Sequence, residues 1–98
     1  MFTMSELQSI DTEYFNVLQL SCYAAYIQSK STGHYWGIVS EEFKSFKHCK
    51  IYHKHHHNNA YHEHRNSRNI KSAIADIQSH DAFVVNGRRP IKPTYAEV

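Results

Sequence analysis

Apolar and polar positions change rhythm several times along the chain, and each change predicts a different element. Thr3-Met4-Ser5-Glu6 has the capping-box spacing, with Thr3 as N-cap and Glu6 reaching back. A short helix over about Met4–Ile10 follows, with Leu7 inward and either Ile10 or Met4 beside it. Residues 12–30 fit two periods. Phe15, Leu18, Cys22 and Ala25 make a helical stripe, yet Tyr14–Ile27 is rich in Tyr, Phe, Val and Ile, which suit strands. The turn that follows tips the reading to strands. Ser31-Thr32-Gly33 between Lys30 and His34 reads as a three-residue hairpin loop closed by a left-handed glycine. That loop sets Gln28 against Trp36, Ile27 against Gly37 and Tyr26 against Ile38, giving strands over 22–30 and 34–41, with Tyr14–Leu20 as a further strand. Trp36 and Ile38 on one face, with Tyr35 and Val39 on the other, mark 34–41 as a central strand.

After Glu41-Glu42, Phe43–Phe46 leads into a second alternating stretch. Cys49 and Ile51 define its inner face, which His53, His55 and His57 extend, while Lys50, Tyr52, Lys54 and His56 occupy the other. Asn58-Asn59 supplies turn chemistry. A two-residue turn sets His55 opposite His62 and His53 opposite His64; a four-residue loop pairs His57 with His62 and His55 with His64. Either puts five imidazoles on one hairpin face. Ser67 then serves as N-cap for a helix over Arg68–Ser79, with Ile70, Ala73, Ile74 and Ile77 on its apolar stripe and Lys71, Asp76 and Gln78 outward. His80-Asp81 ends that helix, Ala82–Val85 forms a short strand, and Asn86-Gly87 turns the chain. The expected fold is α+β: a small single domain over 1–87, with an antiparallel sheet of three to five strands packed by one helix from the C-terminal half and a short N-terminal helix. Residues 88–98, with Pro90 and Pro93, read as an extended tail carrying a minimal PxxP pattern.

Composition narrows the function. The formal net charge is only +2, but it is unevenly distributed. Residues 1–43 carry one basic group against five acids (−4), 44–71 carry seven against one (+6), and 72–98 balance at three against three. Seven of the nine histidines lie between Phe46 and Lys71. Such segregation points to a polyanionic partner for the middle segment. Two cysteines, Cys22 and Cys49, are too few for a disulfide scaffold and read as buried free thiols in a reducing, cytoplasmic setting. The longest fully apolar run, Cys22–Ile27, is too short for a membrane span, so no membrane partner is expected.

Three chemistries compete. In the first, Lys50, Tyr52, Lys54, His56, Arg65, Ser67, Arg68 and Lys71 make a nucleic-acid or partner surface. Arg65 and Arg68 flank the start of the long helix, where free backbone N–H groups suit a phosphate, and tyrosine among cations suits stacking on an unpaired base. RNA or single-stranded nucleic acid is the expected ligand, because no helix presents itself for a major groove. In the second, the same basic face lets the chain regulate or inhibit a nucleic-acid-processing protein. In the third, His53, His55, His62 and His64 gather as ligands suited to Zn, Cu or Ni. Otherwise no cofactor is expected. Paired histidines, with Arg65 or Arg68, also have the elements of phosphodiester acid–base chemistry. A nucleophile motif and a phosphate-cradling glycine loop are both missing, so a non-enzymatic binding module is the first expectation and no catalytic residue is assigned.

Overall fold

A computed structural model describes residues 1–43 and 46–87. Helix α1 (Met4–Gln8) is followed by strands β1 (Phe15–Leu20), β2 (Ala24–Ser29), β3 (Tyr35–Phe43), β4 (Phe46–Lys54) and β5 (His62–Ser67), then by helix α2 (Ile70–Val85). The strands form one antiparallel sheet in the order β1-β2-β3-β4-β5, each beside its chain neighbour. This is the α+β fold expected from the sequence. The tail at 88–98, with its PxxP pattern, lies outside the described residues.

One face of the sheet is covered and builds the core. Phe15, Ala25, Ile27, Trp36, Ile38, Cys49 and Ile51 point into it, opposite Phe2, Leu7 and Ile10 from the N-terminal segment and Ile70, Ala73 and Ile77 from α2. The capping box at α1 forms as read, with the Glu6 N–H donating to Thr3 Oγ1 and the Thr3 N–H donating to Glu6 Oε1. Leu7 and Ile10 turn inward; Met4 stays exposed. The helical stripe through Phe15, Leu18, Cys22 and Ala25 does not exist. Leu18 sits at a β-bulge on the edge strand, and Cys22 is exposed, contrary to the expected burial.

Burial also corrects the β2–β3 register. Ser29 faces His34, and Ile27, Tyr26 and Ala25 pair with Trp36, Gly37 and Ile38, so four residues (30–33), not three, make the loop. A one-residue slip sends every side chain to the opposite face. The three-residue register would set Trp36 beside Gln28; the observed one joins Ile27 to Trp36 in the core. Gly33, at φ +75°, still supplies the left-handed position.

The β4–β5 hairpin differs more. His53 pairs with His62 across an eight-residue connection (54–61), so neither tight turn at Asn58-Asn59 forms. The Asn59 N–H donates to the His56 carbonyl, and Lys54 Nζ donates to the His57 carbonyl, which folds the segment on itself. A bulge at His64 then shifts the remaining pairing to Ile51 with Arg65.

Helix α2 starts later and ends later than expected. Its N-cap is Asn69, whose side chain accepts from the Ser72 N–H at 2.8 Å, while Ser67 is the last residue of β5. It runs through His80-Asp81, and Ala82–Val85 is helical rather than a strand. Asp81 is buried on the same stripe as Ile70, Ala73 and Ile77, held by two side-chain donors, and so extends the helix instead of stopping it. Asn86 and Gly87 (φ +70°) close this helix, where a turn after a strand was expected. Among the described residues no helix is long and apolar enough to cross a membrane.

Candidate functional site

Two constellations stand out, one on each face of the sheet. On the face that no described element covers, the side chains alternating with the core positions meet across strands. Tyr26, Val39, Tyr52 and Tyr61 line an open groove of about 300 Å³. Gly37 lies between the tyrosines, opposite both Tyr26 and Tyr52; a Cβ there would come within 2.9 Å of the Tyr26 ring. Tyr26 and Tyr61 have ring centroids 5.9 Å apart, and Lys54 Nζ lies over Tyr35 and Tyr61 at 5.3 and 4.5 Å. Burial, then the neighbouring Tyr26 and Tyr35, push the Tyr61 hydroxyl above the usual tyrosine range. Lys50 continues the face, donating to Glu63 Oε1 at 3.3 Å with Glu41 4.0 Å away; its hydrogen bond to Glu63 and the charge of Glu41 raise its pKa.

On the covered face, the end of the sheet beyond the aliphatic core is filled by imidazoles. The alternation His34-Trp36-Ile38, entering β3 from the turn, and Cys49-Ile51-His53 on β4 carries both histidines inward. His80 reaches them from α2, three positions after Ile77. His53 Nε2 is 3.1 Å from His34 Nδ1, and the ligating nitrogens of His34, His53 and His80 all lie within 4.8 Å of one another. His53 stacks on Trp36 with centroids 4.0 Å apart, and the indole N–H donates to Ser29 Oγ at 3.0 Å. Around this trio, His55 stacks on His34 at 4.3 Å, His62 stands 5.3 Å from His53, and His64 stands 5.0 Å from His80. Burial first, then the surrounding imidazoles His34, His80, His55 and His64, pull the His53 pKa down to about 3. Burial and His80 lower His64 as well. His53 and His64 are therefore held neutral, the protonation state in which histidine coordinates a metal.

The turn carrying His34 is fixed from the same helix that carries His80. The His34 N–H donates to Thr32 Oγ1 at 3.2 Å, and the Thr32 hydroxyl donates to Asp81 Oδ1 at 3.1 Å. The Tyr14 hydroxyl donates to Asp81 Oδ2 at 2.8 Å, and burial with that carboxylate pushes its pKa up to about 12.

The residues singled out from sequence are divided between these places. Lys50, Tyr52 and Lys54 share the open face, with His56 exposed in the adjoining connection. Arg65 instead approaches Asp76 of α2 at 3.8 Å, Ser67 donates to the same carboxylate, and Lys71 is exposed on α2. Arg68 and Asn69 line a cavity of about 200 Å³ beside Phe2, His48 and Cys49. The helix start is thus separated from the tyrosine face. Of the four expected metal ligands, His53 belongs to the tight trio, while His55, His62 and His64 surround it. His34 and His80 were missed, although readable signals existed: His34 alternates with Trp36 and Ile38, and His80 continues the apolar stripe of α2. Comparison with known proteins found no matching family model, no matching curated protein and no matching solved structure.

Proposed function

We propose that the open face of the sheet binds single-stranded nucleic acid, RNA foremost, without acting on it chemically. The carrying observation is the grouping of Tyr26, Tyr35, Tyr52 and Tyr61 on a sheet face that no described element covers, with Lys54 over Tyr35 and Tyr61 and Lys50 on the same face. Every base has a π-face, so aromatic platforms accept unpaired bases with little regard to sequence, at roughly 1–3 kcal/mol per base. Lysines between them neutralise the backbone. Glu41 and Glu63 hold Lys50 in place and limit the net charge, which makes stacking rather than charge the larger contribution here.

Two phosphates neutralised by Lys50 and Lys54 give a slope of about −1.4 in log K against log salt on a single strand. Fluorescence anisotropy with a short labelled oligoribonucleotide, titrated at several salt concentrations, measures it. Tyr61→Ala and Tyr52→Ala should each weaken binding roughly tenfold or more, and Lys54→Ala should flatten the slope by about 0.7. Affinity unchanged in all three variants would remove this reading.

A second reading, regulation of a nucleic-acid-processing protein, draws on the edge of the sheet. Val17, Leu18, Leu20 and Tyr23 are exposed on and just beyond β1, and neighbouring apolar side chains of this kind mark protein contacts. A complex recovered from source-cell extract that survives nuclease treatment, and is lost in Leu18→Asp, would favour it over direct nucleic-acid binding.

A further inference from the structure

We propose that His34, His53 and His80 together bind one divalent transition-metal ion of the zinc class, which ties α2 to the end of the sheet. The donor set is the first reason. Three imidazoles without a carboxylate or thiolate among them suit Zn, and also Cu or Ni, far better than Mg or Ca.

Spacing is the second. Two nitrogens on one tetrahedral ion at 2.0–2.1 Å lie about 3.3–3.4 Å apart. His34 Nδ1 and His53 Nε2 stand at 3.1 Å, and the His80 nitrogen lies within 4.8 Å of both, so closing the set takes about 1.5 Å of side-chain rotation or less. The ligands come from three elements far apart in the chain, which gives an ion the means to fasten them.

Preorganisation is the third. Trp36 packs against His53 and meets His80 with the two rings nearly perpendicular. The path His34 N–H to Thr32 hydroxyl to Asp81 carboxylate fixes the His34 backbone from the residue next to His80. That path sets where the turn presents the His34 ring relative to His80. The fourth position falls to water or to His64, whose ring is 5.0 Å from His80. This site lies across the sheet from the tyrosine groove, so each stands or falls alone.

The test uses the full, untagged chain purified without added metal. Elemental analysis should find close to one Zn per chain, or one after titration with Zn2+, and Zn2+ competition against a chromophoric chelator gives the affinity. His34→Gln and His80→Gln, checked for folding by circular dichroism, should each weaken binding by more than the roughly 100-fold that losing an outer partner costs. Replacing His56 and His57 together with Gln should leave affinity near that of the parent, because both loop imidazoles are exposed. Binding that disappears in the loop variant and persists in His34→Gln would overturn the proposal, as would a parent chain with no Zn2+ affinity and no thermal shift. Should the single variants fail to fold, the parent loaded with Co2+ decides. An intense visible band marks a tetrahedral nitrogen site, and the weak spectrum of an octahedral, solvated ion overturns it.

Discussion

His53 and Cys49 show how strongly one buried position changes the chemistry of a side chain. In the unfolded chain His53 takes up a proton near its ordinary pKa of about 6.5, while in the fold it does so only near 3. Between those values the unfolded state binds more protons, so stability rises with pH there. The metal-free protein is therefore fully stable, in this respect, above about pH 6.5 and loses stability progressively as pH falls from there to about 3; the lowered His64 adds in the same direction. Urea midpoints measured with a chelator present should fall steadily over that range, and a flat profile would mean that His53 is solvated. Cys49 is the counterpart at high pH: burial, then Glu6, Asp76 and Glu41, push its thiol up to about 11. Under native conditions an alkylating reagent should modify the exposed Cys22 and spare Cys49 until the protein unfolds, which mass spectrometry reads directly. The alternation that turns Cys49, Ile51 and His53 inward was legible in the sequence. The company His53 keeps was not, because His34 and His80 are 19 residues before it and 27 after it, and only the folded sheet and helix bring them together.

Local rules served some elements well and misled at others, for reasons visible in the contacts. Thr3 and Glu6 specify α1 by themselves, so that helix start was readable. The start of α2 was not, since Ser67 and Asn69 are both good caps and only strand pairing of Ser67 with Cys49 decides between them. Asn69→Ala should cost about 1 kcal/mol, and Ser67→Ala clearly less; chemical denaturation of both checks the assignment. At the other end, Asp81 reads as a helix stop until Tyr14 and Thr32, 67 and 49 residues away, supply its donors. The β2–β3 register slipped because the Gly33 turn suits loops of three or four residues, and the choice rests on placing Ile27 against Trp36. Gly37 offers a test of the open face. A methyl group there meets the Tyr26 ring, so Gly37→Ala should cost about 1 kcal/mol, the low end for overpacking, because Tyr26 can swing outward. Its effect on oligonucleotide affinity should be the larger one.

At the scale of the molecule, the segregated charge of the sequence does not become one basic surface among the described residues. Folding sends Lys50 and Lys54 to the open face, Lys50 between Glu41 and Glu63 and Lys54 over the tyrosines, and takes Arg65 to Asp76 on the covered side. A linear count of charge is blind to which face a residue occupies, which is why the helix start and the tyrosines were expected to act together. The fold class itself was legible, because alternation, turn residues and one strong apolar stripe agree. Its strand order carries a further consequence, for the sequence of events in folding. Each strand of the meander pairs only with its neighbour, so the sheet can zip from local hairpins with little loop closure. The bonds from Tyr14 and Thr32 to Asp81 span 67 and 49 residues and form only when α2 settles against the β1 and β2–β3 ends of the sheet. Interactions made after the transition state govern how fast a protein comes apart, not how fast it assembles. Asp81→Asn should thus speed unfolding severalfold while leaving refolding nearly unchanged, and a stopped-flow chevron reads both arms. Bound metal should act on the same arm in the opposite sense, as a latch that closes last and sets the lifetime of the folded state.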